Sequence, residues 1–414
     1  MSEHKSIGRR PELLCPAGSP EVLRCAFRFG ADAVYIGGES FGLRAKAKNF
    51  EKAELTEAIR YAHALGKQVH ITANILAHDN DLAKAEEYFR LLAELQPDAV
   101  LIADPGMFLI AKECCPDIPI HISTQANNTN AGTFAFWHAQ GARRVVCARE
   151  LSLQEIRGIR ENTPKDLEIE AFVHGAMCIS YSGRCLLSSF MAGRDANRGE
   201  CTHPCRWKYA VMEEKRPGEY FPVEENERGT YVFNSRDLCM IEHIPELIEA
   251  GIDSFKIEGR MKTALYVATV ARTYRKAIDD YLESPDRYRD NLPWYREEIR
   301  KCTYRQFTTG FYFGKPDENA MVYDSNTYRQ GAVFLGIAEE ERDGLIRIEQ
   351  KNKFCTGEEI EIMKPDGRDI RTKVEAILDE EGKAQEAAPH PKQVLWLKLS
   401  EAAEEGDILR TAFV

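Results

Sequence analysis

The sequence predicts an α/β protein: a TIM-type barrel, irregular in its closure, followed by a small C-terminal β-barrel domain. Three features of the 414-residue chain predict it. From residue 12 to about residue 260, short apolar runs alternate with amphipathic stretches, as in repeated βα units around a parallel sheet. Polar residues gather where those runs end. Beyond residue 328 the period changes to short alternating strands separated by Gly, Asp and Pro turns, six in about 85 residues, which suits a small barrel.

The candidate strands are ELLCPAG (12–18), AVYIGG (33–38), QVHITANI (68–75), AVLIAD (99–104), IPIHIST (118–124), RRVVCARE (143–150), LEIEAFVHG (167–175), YVFNS (231–235) and DSFKIEG (253–259). Nine runs compete for eight places, so one of them, YVFNS by preference, is expected outside the barrel, or the closure is irregular. Between them, EKAELTEAIRYAHALG (51–66), DLAKAEEYFRLLAELQ (81–96) and MIEHIPELIEAG (240–251) carry apolar residues at helical spacing. A doubly wound open sheet has the same periodicity and is the alternative fold. KTALYVATVARTYRKAIDDYLES (262–284) reads as a long helix. The expected division is a barrel over 1–290 with a cysteine-rich insertion at about 176–230, a helical connection over 291–327, and the small β-barrel over 328–414.

Hydrophobic content of 43% and charged content of 29% are those of a soluble globular protein. No apolar run approaches the roughly 18 residues needed to span a membrane. MSEHKSIGRRPE places no apolar stretch behind its basic residues, so no export signal is read and the cytoplasm is the expected compartment. Twelve cysteines there should be mostly reduced. A net charge of -11 argues against nonspecific polyanion binding, so a nucleic-acid partner would need a local basic face.

Four cysteines fall within HGAMCISYSGRC (174–185) and CTHPC (201–205). Cys178, Cys185, Cys201 and Cys205 are spaced x6, x15 and x3, and thiolates this close in sequence surround one metal centre when a glycine-containing loop folds back. Iron-sulfur is the favoured centre; structural zinc competes, although its knuckles usually show two to four residues between paired cysteines. Cys239, in NSRDLC, is a reserve ligand. A cysteine nucleophile at Cys178 with His174 as base is the other enzymatic reading, and a strand-end histidine that hydrogen-bonds locally is the plainer one. Neither HExxH nor GxSxG occurs. Gly37-x4-Gly42 begins like a phosphate loop, but Leu43 and Arg44 follow where Lys and Ser or Thr should stand.

At the expected strand ends lie Arg44, Arg149, Lys256, Glu258 and Arg260. Arginine offers bidentate geometry to carboxylates, which makes these residues substrate-binding candidates; salt bridging among themselves is the alternative. His174 and Glu258 are the acid-base candidates.

EAFVHGAMCISYSGRCLLS (170–188) resembles, at every specified position, the signature Glu-x-Phe-x2-Gly-[Ser/Ala]-aliphatic-Cys-x4-Gly-x-Cys-x-aliphatic-Ser of the collagenase-like peptidase family U32. The resemblance continues through ELLCPAGSPEVLRCAFRFGADAVYIGG (12–38), HISTQANNTN (121–130), GECTHPCRWKY (199–209), NSRDLCMIEHIPEL (234–247) and SFKIEGRMK (254–262). Within the family the layout is similar to the branch that makes 5-hydroxyuridine at the wobble position of tRNA, uses prephenate and depends on iron-sulfur assembly. Related branches hydroxylate a ribosomal cytidine or serve ubiquinone synthesis. The resemblance implies a 4Fe-4S cluster on Cys178, Cys185, Cys201 and Cys205, with Cys239 as substitute for the fourth. It also implies prephenate as co-substrate on the strand-end cations, tRNA as partner, and a paralogous family member as a possible second one. RNA contacts are expected at RWKY (206–209), including Arg206, Trp207 and Lys208, and at RTYRK (272–276) and KNKF (351–354), where cations alternate with aromatics; solvated helix faces and ordinary core aromatics are the alternative for each. A peptidase and a non-catalytic zinc-stabilised RNA-binding protein are the competing functions.

Overall fold

Eight of the nine apolar runs of the first 260 residues become short buried strands, which pair in parallel into a closed ring. The computed structural model describes residues 9–38, 41, 49–178, 180–182, 184–194, 196, 200–206, 210–212, 220–222, 236–315 and 329–411. YVFNS lies outside the described residues. The chain divides into two units, one of residues 1–23, 32–261 and 305–328, the other of residues 24–31, 262–304 and 329–414.

In the first unit, strands β1 (Glu12–Pro16), β2 (Ala33–Gly37), β3 (Gln68–Ala73), β4 (Ala99–Ile102), β5 (Ile120–Ile122), β6 (Arg144–Val146) and β7 (Glu168–Ala176) pair in sequence order. Helices α1 (Pro20–Arg28), α2 (Lys52–Ala64), α3 (Asp79–Leu95), α4 (Pro105–Cys114), α5 (Ala131–Ala139) and α6 (Leu153–Glu161) follow β1 to β6 in turn. The insertion after β7 contains α7 (Leu187–Ala192) and a hairpin of β8 (Ala210–Met212) and β9 (Tyr220–Pro222). The chain returns as β10 (Asp237–Cys239), then α8 (Ile244–Glu249) and β11 (Ser254–Ile257). β11 pairs with both β7 and β1, which closes the barrel and rules out the open sheet.

β10 is the irregular element. It runs antiparallel on the end of β7, setting Cys239 opposite His174 in register. Asp237 holds it there through a buried pair with Arg305 at 2.8 Å.

A repeated sequence device organises the N-terminal ends of the strands. In GAD, QPD and GID the aspartate immediately precedes an even-numbered barrel position and accepts the first amides of the neighbouring strand: Asp32 from Leu13 N at 2.9 Å, Asp98 from Val69 N at 2.8 Å and Asp253 from Ile169 N at 2.8 Å. Before β6 the same place reads GAR, and the next residue, Arg144, extends among buried carboxylates. Its guanidinium meets Glu12 at 2.6 Å, Glu168 at 2.8 Å and Glu170 at 3.0 Å. Glu170 in turn accepts from Lys256 Nζ at 2.7 Å. TIM barrels more often fill this space with branched aliphatic layers.

In the second unit, α9 (Ala264–Glu283) and α10 (Pro285–Glu298) accompany an eight-stranded antiparallel sheet. All six of the expected strands are present, from Phe334–Ile337 to Ile408–Thr411. Their alternate residues, among them Leu335, Ile348, Ile362, Ile377, Leu397 and Leu409, form one apolar core.

Titration of the barrel's charges has a predictable sign. Burial alone would raise the Glu12 carboxyl, but the Arg144 guanidinium overrides it and holds the group at about 2, against an ordinary 4.5. That contribution is present above about pH 4.5 and lost as the pH falls towards 2. His70 and His121, buried with ring centroids 4.9 Å apart, are held below 6.5 chiefly by lost hydration. The unfolded chain takes up protons that these imidazoles refuse, so they too cost stability below pH 6.5. Urea midpoints should therefore fall steadily from pH 7 to acid. Glu12→Gln should cost roughly 3 kcal/mol at pH 7 and flatten the decline below pH 4.5.

Candidate active site at the barrel mouth

The C-terminal ends of the strands surround a cavity of about 100 Å³ whose wall includes Tyr35, Thr72, Asn74, Ser123, Gln125, Arg149, Phe172, Lys256, Glu258 and Arg260. Strand ends place these side chains together because parallel strands that enter one face must leave at the other. Four of the sequence candidates, Arg149, Lys256, Glu258 and Arg260, meet here. Arg44, Trp207 and Lys208 lie outside the described residues, as does the side chain of Arg206.

Lys256 forms part of the cavity wall. Its ammonium is only 4% exposed by residue and sits 4.6 Å from the Tyr35 ring centroid and 5.5 Å from that of Phe172. Glu170 neutralises it from beneath; burial would raise that carboxyl, and Lys256 and Arg144 together hold it below its ordinary value. Arg260 crosses to β3 and donates to Thr72 Oγ1 at 2.7 Å. Two glycines make room for this segment. A Cβ on Gly37 would stand 2.5 Å from Arg260 Nη1, and one on Gly175, whose φ is +110°, 2.5 Å from the Glu258 carbonyl oxygen.

Arg149 has two structural engagements. It donates to the Ala176 carbonyl at 2.9 Å and pairs with Glu258 at 3.3 Å, while its guanidinium lies 4.1 Å over the Phe172 ring. The salt bridging considered as an alternative thus holds for this pair, and the bond to Ala176 fixes the start of the cysteine segment. Among the described residues, Arg149 Nε has no hydrogen-bond partner, and neither do Asn74 Oδ1 and Gln125 Oε1. Buried polar atoms are ordinarily paired, so a ligand offering both donors and acceptors would complete this wall. Asn74, Ser123 and Gln125 are visible in the sequence as strand-end polar residues, whereas Thr72 and Glu170 are not. Glu170 is legible as an acid inside an apolar strand and as the first residue of the U32 signature, but not as part of this site.

His174 is not on the cavity wall. Its ring is buried at 1% exposure and tilts against Phe307 at 5.7 Å, and its carbonyl accepts from Glu258 N. The structure gives it a packing role, and the burial of His174 beside an exposed Cys178 does not suit the thiol-base pair of a peptidase. Asp104, another strand-end polar residue, caps α4 through Met107 N.

None of the twelve cysteines is in a disulfide. Cys15, Cys115 and Cys147 are buried, and burial pushes the thiol of Cys115 up to about 11 and that of Cys147 to about 12, which makes them poor metal ligands. Cys178 is exposed, and Cys185, Cys201, Cys205 and Cys239 are partly so. Donor type, accessibility and sequence proximity fit a thiolate-held cluster. Convergence is not displayed: among the described residues, no three His, Cys, Asp or Glu side chains are placed to hold a metal. The segment reaches the cavity nonetheless, because Ser182 and Ala196 stand in its wall.

Two expected RNA patches are corrected by burial. In RTYRK, Arg272 and Tyr274 are at most 1% exposed; Arg272 pairs with Glu298 and, at 3.0 Å, with Asp369. In KNKF, Phe354 belongs to the apolar core of the sheet. A larger cavity of about 530 Å³ lies at the opposite ends of the strands, but its carboxylates Asp32, Asp98 and Asp253 are committed to strand amides.

Comparison with known families decides the kinship. The description of peptidase family U32 matches residues 18–322, and that of the U32 C-terminal domain matches residues 330–410. This chain belongs to peptidase family U32. Among U32 relatives it is 38% identical to tRNA hydroxylation protein P1 of Bacillus subtilis over 98% of this chain and 95% of that one. It is likewise 38% identical to tRNA hydroxylation protein P of Escherichia coli, over 95% of each. A 23S rRNA 5-hydroxycytidine synthase of Escherichia coli is 36% identical over 66% of this chain and 40% of its own length. The U32 signature spans Glu170, Gly175, Cys178 and Cys185, which are the partner of Lys256, the glycine beneath Glu258, and two thiols of the segment.

Glu170→Ala would leave Lys256 buried without its partner. Chemical denaturation should show a loss of about 3–5 kcal/mol, the range for breaking a buried pair from one side.

Proposed function

We propose that this chain hydroxylates the wobble uridine of tRNA to 5-hydroxyuridine, with prephenate as co-substrate and a 4Fe-4S cluster as cofactor. The observation that carries the reading is a shared wall: Ser182 and Ala196 of the cysteine segment line the same small cavity as Lys256 and Arg260. The names of the relatives support RNA hydroxylation.

Cys178, Cys185, Cys201 and Cys205 would hold the cluster, with Cys239, opposite His174, in reserve for the fourth place. When bound, it supplies redox chemistry and Lewis acidity that no side chain offers. The chain's own residues bind and orient. Three cations face one carboxylate in the cavity wall, a balance that favours an anionic ligand such as a dicarboxylate. Arg260 and Lys256 would take its carboxylates, and the unpartnered amide oxygens of Asn74 and Gln125 would take a hydroxyl or N–H. Phe172 and Tyr35 exclude water beside the ammonium. Glu258, tied to Arg149, is the acid-base candidate at the rim. Action on tRNA would place the protein in the cytoplasm, and a paralogous U32 protein as second subunit belongs to the same proposal.

Deleting the gene should remove 5-hydroxyuridine and its derivatives from tRNA nucleosides measured by mass spectrometry; unchanged tRNA would overturn the reading. Anaerobic purification should yield a brown protein with about four irons per chain, lost in Cys178→Ser. Arg260→Ala should raise KM for prephenate roughly 10- to 100-fold, the worth of a charge-assisted hydrogen bond. Proteolysis that survives iron removal but vanishes in Cys178→Ala would favour a peptidase instead.

A further inference from the structure

Among the described residues, nine large hydrophobic side chains are exposed, and four of them, Tyr181, Leu186, Phe190 and Met191, fall within eleven residues of the cysteine segment. Phe190 is 87% exposed and Leu186 68%. Exposed apolar groups gathered in this way mark a contact surface.

Local structure explains why they point outward. α7 is pinned on its inner side by Ser188, which is 1% exposed; its hydroxyl accepts from Thr202 N at 3.0 Å and lies 3.2 Å from Thr202 Oγ1. Leu186 and Phe190 stand four residues apart, so they share the opposite face. Gly193 ends the helix in the left-handed region, with φ +61°.

The charge of the surroundings identifies the partner. The chain carries 66 acidic residues, yet none occurs between 171 and 194, a stretch that contains Arg184 and Arg194. Arg184 is exposed beside Tyr181, whose carbonyl accepts its amide. On a protein of net charge -11, a segment that carries two arginines, two exposed aromatics and no acid of its own suits a polyanion that offers flat rings.

We infer that Tyr181, Arg184, Leu186 and Phe190 form a stacking platform for unstacked bases of a single-stranded RNA loop, next to the cavity that Ser182 enters. This deepens the proposed function and rests on its RNA substrate. Phe190 supplies the ring face, Leu186 the apolar bed beside it, and Arg184 contacts phosphate.

The test uses the full-length, cluster-loaded protein and a fluorescent anticodon stem-loop hairpin with uridine at the wobble position, titrated between about 50 and 200 mM salt. Phe190→Ala should weaken binding roughly 5- to 100-fold at every salt concentration with the salt slope unchanged, and Phe190→Tyr should restore it. Arg184→Gln should lower the slope by about one. Iron content and thermal midpoint should match those of the wild type in all three. Wild-type affinity in Phe190→Ala, while tRNA hydroxylation persists, overturns the platform and leaves the proposed function standing. A change in sedimentation without a change in hairpin affinity overturns it in favour of a protein partner. A wild-type protein that neither binds the hairpin nor modifies tRNA overturns both.

Discussion

The carboxylate of Glu170, shared between Arg144 and Lys256 inside the barrel, is the constraint on which the rest of the first unit depends. A charge out of water is tolerable only when paired and hydrogen-bonded, so each member of this column fixes the position of the next. Arg144 draws in Glu12, Glu168 and Glu170, and Glu12 also accepts the Ser254 hydroxyl at 2.8 Å. β1, β6, β7 and β11 are therefore tied by charge as well as by backbone pairing. Apolar layers would give comparable stability without specifying which strand faces which.

The same constraint delivers one cation to the mouth in a fixed place. Lys256 cannot swing towards solvent without leaving Glu170 unmatched, so its ammonium stays between Tyr35 and Phe172. Arg260 is fixed by Thr72, and Arg149 by Ala176 and Glu258. A cavity built from side chains that are already immobilised loses little entropy when a ligand arrives. Because Arg149 holds the carbonyl just before Met177 and Cys178, ordering at the mouth and ordering of the cysteine segment are coupled through one guanidinium.

Much of this was legible from sequence, for a physical reason. Hydrophobic period, turn residues and strand-end polarity are local quantities, and they located the eight barrel strands, the antiparallel sheet and four of the cavity's charged residues. Pairing is not local. RTYRK shows an alternation of cation and aromatic that suits RNA equally well as a core, and one partner of the buried Arg272 is Asp369, 97 residues away. KNKF fails in the same way, since Phe354 faces a core assembled from distant strands. Glu170 opens the family signature, but its role is not legible there, because a strand's period reveals which face a side chain takes and says nothing of the cation awaiting it, Lys256.

The cysteine segment presents the converse case, in which chemistry was more legible than geometry. Thiol identity and spacing need no tertiary structure to be read, and the contrast between exposed and buried thiols strengthens them as ligands. Their convergence, by contrast, is not a local quantity, and a thiol becomes a ligand only by giving up its proton as a metal binds. What the chain does supply in advance is the frame. Arg149 anchors one end of the segment at Ala176, and Ser188 joins its helix to Thr202 between Cys201 and Cys205. Ser188 thus holds the inner face of α7, and Leu186 and Phe190 remain exposed on the other.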